Sequence, residues 1–216
     1  SIAINGAVAL AEALKQNHML ASLDLRSNCI SDQGAIAIAE ALKQNLALKE
    51  LVIGRTGISA CGIKAFAEAL RQNITLAKLD AGWGDVSEEG ATAIAEALKQ
   101  NQALTELDMS CCRIADEGAK VIAEALPQNN TLTTLSLRSN TFTAEGARML
   151  ERAVAGDIDP DAVSPASVLR QDKKRNRALT TLLMDEDSSL LKRALAVNAE
   201  LAAKKRCMMV FLLGMQ

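Results

Sequence analysis

The sequence predicts an α/β fold, a right-handed solenoid arc with a concave parallel sheet, convex helices and a C-terminal helical segment. Two counts and one pattern carry that prediction. Glycine falls at 6, 34, 62, 90, 118 and 146, and asparagine at 17, 45, 73, 101 and 129, both at a spacing of 28. Within each unit a short stretch of alternating apolar residues gives way to a longer one with helical periodicity. A unit of this size cannot bury both faces of its strand and helix, so stacking of successive units must supply the core.

The strand part reads L-x-x-L-x-L followed by a turn residue. It appears as Leu20/Leu23/Leu25/Asn28, Leu48/Leu51/Ile53/Thr56, Leu76/Leu79/Ala81/Gly84, Leu104/Leu107/Met109/Cys112 and Leu132/Leu135/Leu137/Asn140. Alternation at its last two apolar positions is the period-2 mark of a half-buried strand. The side chain that closes the motif can satisfy backbone groups of neighbouring coils.

The helical part carries one apolar stripe, as in Ala35, Ile38, Ala39 and Leu42. Ser31, Ser59, Ser87 and Thr143 stand at expected N-caps, and Glu89, Glu117 and Glu145 follow in the first turn, where the helix dipole favours an acid. The repeated glycine is expected to let each helix approach the sheet. The asparagine at the helix end is expected in a left-handed C-cap conformation. Pro127 should end its helix early or kink it. Strands about 4.8 Å apart, backed by wider helices, force the stack to curve with the sheet inside.

The pattern weakens at both ends. The chain opens with a helix over 2–16 that no strand precedes. Glu151 stands where earlier helices have a buried alanine (Ala11, Ala39, Ala67, Ala95, Ala123), which marks the end of the array. The expected organisation is a repeat arc over 1–156, a linker over 157–167 and a helical segment over 168–216 that caps the arc. Ser164-Pro165 reads as a helix start; one helix is expected through about Met184 and a second from about Ser188 to Arg206. Asn176 to Leu182 echoes Asn129 to Leu135, so a degenerate sixth strand is the alternative there.

Composition narrows the function classes. Hydrophobic residues make up 49% of the chain but aromatic ones only 2%, which suits thin repeated layers. A net charge of -2 provides no general field for nucleic acid or an anionic membrane. The five cysteines (Cys29, Cys61, Cys111, Cys112, Cys207) include no CxxC pair, which suits reduced thiols and a cytoplasmic setting. Residues 1–10 lack the basic start and cleavage site of a signal peptide. The apolar run 207–213 is too short to span a bilayer. Cys111-Cys112 is read as a turn residue and its neighbour rather than a metal or redox pair. His18, the single histidine, sits in a turn. No phosphate-binding loop, nucleophile elbow or zinc motif is present, so neither enzyme chemistry, a metal nor a cofactor is expected.

Leu132-Thr-Thr-Leu135-Ser-Leu137-Arg-Ser-Asn140 followed by Gly146-Ala147, and Ala39-Glu-Ala-Leu42-Lys-Gln-Asn45, resemble the ribonuclease-inhibitor-like subfamily of leucine-rich repeats. The resemblance covers about residues 1–156. It implies a binding surface on the strand face, with a target that differs from one member to the next. Members include ribonuclease inhibitors, sensor ends of innate immune receptors, Ran GTPase-activating proteins and, similarly built, several bacterial effectors. The expected function is non-catalytic protein–protein interaction through the concave face. The alternatives are a small-GTPase regulator using Arg26, Arg55 or Arg138, a tropomodulin-like cytoskeletal regulator, and an effector delivered into a host cytosol.

Residues flanking the buried strand positions should point into the concavity. The expected partner-binding set is Asp24, Arg26, Glu50, Val52, Lys78, Asp80, Trp83, Glu106, Asp108, Ser136 and Arg138. Acids outnumber bases there, and Asp80 and Asp108 share a lane on adjacent strands, which suits a protein partner with a basic patch. Trp83, the single tryptophan, lies between Gly82 and Gly84. It is either an exposed anchor or a cover for the gap those glycines leave. The tail has Arg170, Lys173, Lys174, Arg175 and Arg177, then Lys204 to Arg206 before an apolar end; peripheral membrane contact is a lesser reading than capping.

Overall fold

The structure, a computed structural model, describes residues 2–155 and 181–184. Helices and strands alternate: α1 (Ile4–Gln16), β1 (Ser22–Asp24), α2 (Ser31–Leu42), β2 (Glu50–Val52), α3 (Ala60–Gln72), β3 (Lys78–Asp80), α4 (Ser87–Gln100), β4 (Glu106–Asp108), α5 (Asp116–Ala125), β5 (Thr134–Ser136), α6 (Ala144–Ala155) and β6 (Thr181–Leu183). The strands form one parallel sheet in chain order. Its first four pairings each join residues 28 apart, as Leu23 with Leu51 and Leu51 with Leu79. The chain is an α/β solenoid of stacked coils.

Ladder bonds extend beyond the named strands, from the Glu50 amide donating to Ala21 O up to the Ser27 amide donating to Gly54 O. The residue where the ladder ends has a left-handed backbone in every coil: Ser27, Arg55, Trp83, Cys111 and Ser139, with φ between 54 and 64°. Such a φ costs a non-glycine residue of order 1 kcal/mol. It lets the amide complete the sheet while the chain turns away from it. A second left-handed residue then alternates between coils. It is Ser31 and Ser87 before α2 and α4, but Gly57 and Arg113 before α3 and α5. The turns therefore alternate over the first four coils, while the turn into α6 has no second left-handed residue.

This corrects the expected N-caps. Ser31 and Ser87 are left-handed and cap nothing, whereas the Ser59 hydroxyl accepts the Cys61 amide and the Thr143 hydroxyl accepts the Glu145 amide. Ser59 and Thr143 are in turn held by the coil before. Asp32 Oδ1 accepts the amides of Ser59 and Gly62 at 2.8 and 3.0 Å, and its Oδ2 accepts the Ser59 hydroxyl at 2.6 Å. Asp116 makes the same three bonds to Thr143 and Gly146. Burial raises the Asp32 pKa, but these donors outweigh it and leave the carboxyl below its usual value. A Cβ on Gly62 would sit 2.7 Å from Asp32 Oδ1 and 3.0 Å from Ala35 Cβ. The repeated glycine thus serves approach to the preceding coil's helix rather than to the sheet.

Asn17, Asn73, Asn101 and Asn129 have an extended backbone, not the expected left-handed one, as at Asn73 with φ -76° and ψ 126°. The side chain explains why. Asn45, Asn73, Asn101 and Asn129 are buried. The Asn101 amide group donates to Leu70 O and Asn73 O of the preceding coil, and its oxygen accepts the Ala103 and Leu104 amides. Asn45, Asn73 and Asn129 repeat this four-bond pattern. Between ladder and sheet lies the apolar core, with Leu48, Leu76, Leu104 and Leu132 at 0% exposure and the alanine stripe bringing adjacent helices close. Pro127 has the effect foreseen: α5 stops at Ala125 and Leu126–Gln128 form a 3-10 turn.

At the C-terminal side two expectations are overturned. Residues 181–183 are a strand, not the end of a helix, and pair in parallel with β5: Thr134 with Thr181, Leu135 with Leu182, Ser136 with Leu183. The array therefore continues past Glu151, which is 5% exposed within it. The Asn176–Leu182 echo was the correct signal, and the sheet register matches it residue for residue. Buried Leu182 and Met184 extend the core. The expected linker, the helix from about Ser188 to Arg206 and the basic cluster lie outside the described residues.

Asn101→Ala removes four bonds at once and strands two amides and two carbonyls, a loss of about 3 kcal/mol or more. Asn17→Ala removes only the Met19 and Leu20 amide bonds at an exposed turn and should cost less than about 1 kcal/mol. Urea unfolding of both variants measures the contrast; equal losses would refute the ladder as the register-setting element.

Candidate functional site

Strand pleating sends three lanes of side chains to the face opposite the helices. The first runs Ser22, Glu50, Lys78, Glu106, Thr134. Lys78 Nζ lies 2.8 Å from Glu50 Oε1 and 3.9 Å from Glu106 Oε2, and the Ser22 hydroxyl donates to Glu50 at 3.3 Å. The Lys78 ammonium holds the Glu50 carboxyl below its usual pKa, and Glu50 raises that of Lys78. This lane is internally paired, its two carboxylates sharing one lysine.

The second lane runs Asp24, Val52, Asp80, Asp108, Ser136, and is not. Asp24 is paired with Arg26 at 2.8 Å. Asp80 and Asp108 are direct register partners. Each accepts the amide two residues on, Gly82 at 3.1 Å and Ser110 at 2.8 Å. Among the described residues, neither has a cation within ion-pair distance. Burial first, then the neighbouring Asp108 charge, pushes the Asp80 carboxyl above its usual range; the Gly82 amide, Arg26 and Lys78 oppose this without reversing it.

The third lane runs Arg26, Gly54, Gly82, Ser110, Arg138. In two successive coils this lane therefore has backbone alone, and both glycines are buried. A Cβ on Gly54 would lie 3.3 Å from Asp80 Oδ1, and one on Gly82 would lie 3.5 Å from both Asp80 Oδ1 and Asp108 Oδ1. The left-handed residues form the rim beside this lane. There Arg55 stacks on the Trp83 ring, 3.8 Å from its centroid, and Trp83 remains 56% exposed. Trp83 thus stands out from the surface instead of covering the glycines.

Of the residues expected to bind a partner, Asp24, Arg26, Glu50, Lys78, Asp80, Glu106 and Asp108 line one surface with Trp83 at its edge, and Arg138 is partly covered at its far end. Val52 and Ser136 depart from expectation at 4 and 5% exposure. Ser136 Oγ is tied to Ser110 Oγ at 2.7 Å. Sequence reasoning did not connect Arg55 with Trp83, although the two are one repeat apart.

Other candidates resolve simply. Cys112 is buried as the turn residue, its pKa pushed up to about 12 by burial, and Cys111 is partly exposed beside it. Among the described residues no His, Cys, Asp and Glu cluster could hold a metal ion, and no helix is long and apolar enough to cross a membrane. Arg26, one of three arginines considered for GTPase regulation, is held by Asp24, and Arg55 is held by Trp83.

A family profile described as "Leucine Rich repeat" matches residues 16–39, 100–123 and 128–150, so three stretches of the array match leucine-rich repeats. No curated protein sequence matches the chain. Among solved structures it is similar to leiomodin-1 actin-binding site 2, with 20% identity, a TM-score of 0.60 and 95% of each chain covered. It is also similar to the tropomodulin C-terminal domain from Caenorhabditis elegans, with 12% identity, a TM-score of 0.62, and 93% of this chain and 97% of that one covered. At these identities the likeness is one of fold.

Asp80→Asn keeps an oxygen for the Gly82 amide and removes the charge. A carboxyl whose folded pKa is raised costs stability wherever it is ionised. The variant should therefore melt at a higher temperature than the parent at neutral pH. That advantage should shrink as pH falls through the raised folded value and be gone below the ordinary aspartate value of 3.8. Melting curves across this range test it; a variant less stable than the parent at neutral pH contradicts the assignment.

Proposed function

We propose that this protein is a non-catalytic recognition module that holds a protein partner against the concave strand face. One observation carries the reading. The coils repeat their core and asparagine ladder, yet on the strand face they carry an aspartate pair that has no cation within ion-pair distance among the described residues. A carboxylate kept where it costs stability is expected at a binding site rather than in a scaffold. The partner presents positive charge to Asp80 and Asp108. A cytoplasmic setting and the ribonuclease-inhibitor-like subfamily belong to the same reading, supported by the thiols and by the unit pattern respectively.

A second reading is favoured by a specific finding. Two solved structures similar over more than nine-tenths of this chain are tropomodulin and a leiomodin actin-binding site. On that reading the partner is actin, and the protein regulates filament ends.

Affinity capture with the full chain, followed by binding assays of Asp80→Lys/Asp108→Lys, tests the first reading. Charge reversal at two central positions should weaken a concave-face partner by about a hundredfold or more. A captured partner bound equally well by the variant removes the concave face from consideration. Depolymerisation of pyrene-labelled actin tests the second: the chain should slow it, and unaltered kinetics dismiss actin as the partner.

A further inference from the structure

Arg55 and Trp83 stand on the rim one coil apart, both with a left-handed backbone, where the other coils carry Ser27, Cys111 and Ser139. The small residues do the same structural work. The Ser27 and Cys111 amides donate to the next coil at 2.9 and 2.8 Å, as those of Arg55 and Trp83 do at 3.1 and 2.7 Å. The turn therefore requires neither an indole nor a guanidinium. We propose that the stacked Arg55–Trp83 pair is a docking point for a carboxylate side chain, glutamate or aspartate, that the protein partner carries beside an apolar residue. The inference rests on the concave-face reading, because a partner lying across the strands reaches this rim. It adds a second contact, opposite in charge to the one at the aspartates.

Charge complementarity selects the occupant. The Arg55 guanidinium carbon lies over the Trp83 ring, 3.8 Å from its centroid, so the indole covers one of its faces. The N–H donors lie in the guanidinium plane and stay available, in the fork that matches a carboxylate. Arg26, Arg71, Arg113 and Arg148 each have a carboxylate within 3.6 Å, whereas Arg55 has none within ion-pair distance among the described residues. The adjoining turns supply no spare acid. Ser27 and Cys29 stand in the coil before, Gly57 follows Arg55, and Asp85 in the coil after is taken by Arg113 at 3.2 Å. Stacking orients the long side chain in advance, so less rotamer freedom is lost when an anion arrives. Trp83 remains 56% exposed, a large apolar surface for a residue beside the carboxylate to cover. A basic side chain would meet Arg55 as a like charge, and an apolar one alone would bury its donors unpaired.

The test uses the full chain and a phage-displayed library of random peptides as the probe. Enriched peptides should contain a glutamate or aspartate whose replacement by the matching amide weakens binding about tenfold or more. Arg55→Ala should cause a similar loss, with the two changes non-additive in a double-mutant cycle. Arg55→Lys keeps the charge without the fork and should recover only part of the binding. Trp83→Ser, which installs the residue that Ser27 and Ser139 supply at the same left-handed position, should cost about threefold. Peptide binding should also shift the Trp83 emission. Peptides without a required acid, peptides indifferent to Arg55→Ala, or a library without binders overturn the docking point. An Arg55→Ala chain that melts several degrees earlier yet binds as before assigns the pair to the scaffold and overturns it too. Peptides that ignore Arg55 but are lost on Asp80→Lys/Asp108→Lys leave the concave face standing without it. Peptides that ignore every one of these variants remove both.

Discussion

Four buried carboxamides set the register of the coils, and most other features of the fold follow from satisfying them. A carboxamide is the one short side chain with two donors and two acceptor lone pairs in a plane. Each of Asn45, Asn73, Asn101 and Asn129 uses all four, tying two carbonyls of the preceding coil to two amides of its own. Leu14 O, Leu42 O, Leu70 O and Leu98 O, four of the accepting carbonyls, lie in the last turns of their helices, where backbone donors run out. The same asparagine thus finishes one helix, starts the approach to the next strand and fixes the offset of 28. Glutamine would overreach, and aspartate would bring a charge and no donor.

The sequence made the architecture legible because stacking repeats one environment many times. Leu51, Leu79 and Leu107 are buried register partners, as their spacing requires. Details that depend on backbone dihedrals were hidden. Serine occupies both the left-handed Ser31 and the extended, capping Ser59, and nothing in the residue type separates them. The bond from Asp32 to the next coil was likewise unreadable, because acids near a helix start usually serve their own helix. The sixth strand stood only as the alternative to a helix for another reason: its unit is displaced by additional chain and does not fall on the period of 28. Glu151 compounded the error, since a buried carboxylate is ordinarily a sound reason to end an array.

On the strand face the lanes themselves could be read from the period, but the division of labour among their charges could not. Five acids and three bases form a list until distances show which are paired. Lys78 bridges two coils and Arg26 folds back on Asp24, so both are part of the surface's own structure. Asp80 and Asp108 are left as the pair with a deficit. Val52 and Ser136 lie in the same lane and are nearly covered, so pleat direction alone does not decide exposure.

The connection from α6 to β6 runs from Ala155 to Thr181, leaving 25 residues between them, where α3 and β3 leave five, from Gln72 to Lys78. By loop-closure entropy a fivefold longer connection costs only about 1.4 kcal/mol. Burial of one leucine, as at Leu182, offsets about that much or more. Sheet order in this fold is therefore nearly indifferent to how much chain is spliced between a helix and the strand after it. New sequence can be grafted at that edge without renegotiating the core, so such a protein can acquire appendages while its concave face stays as it was.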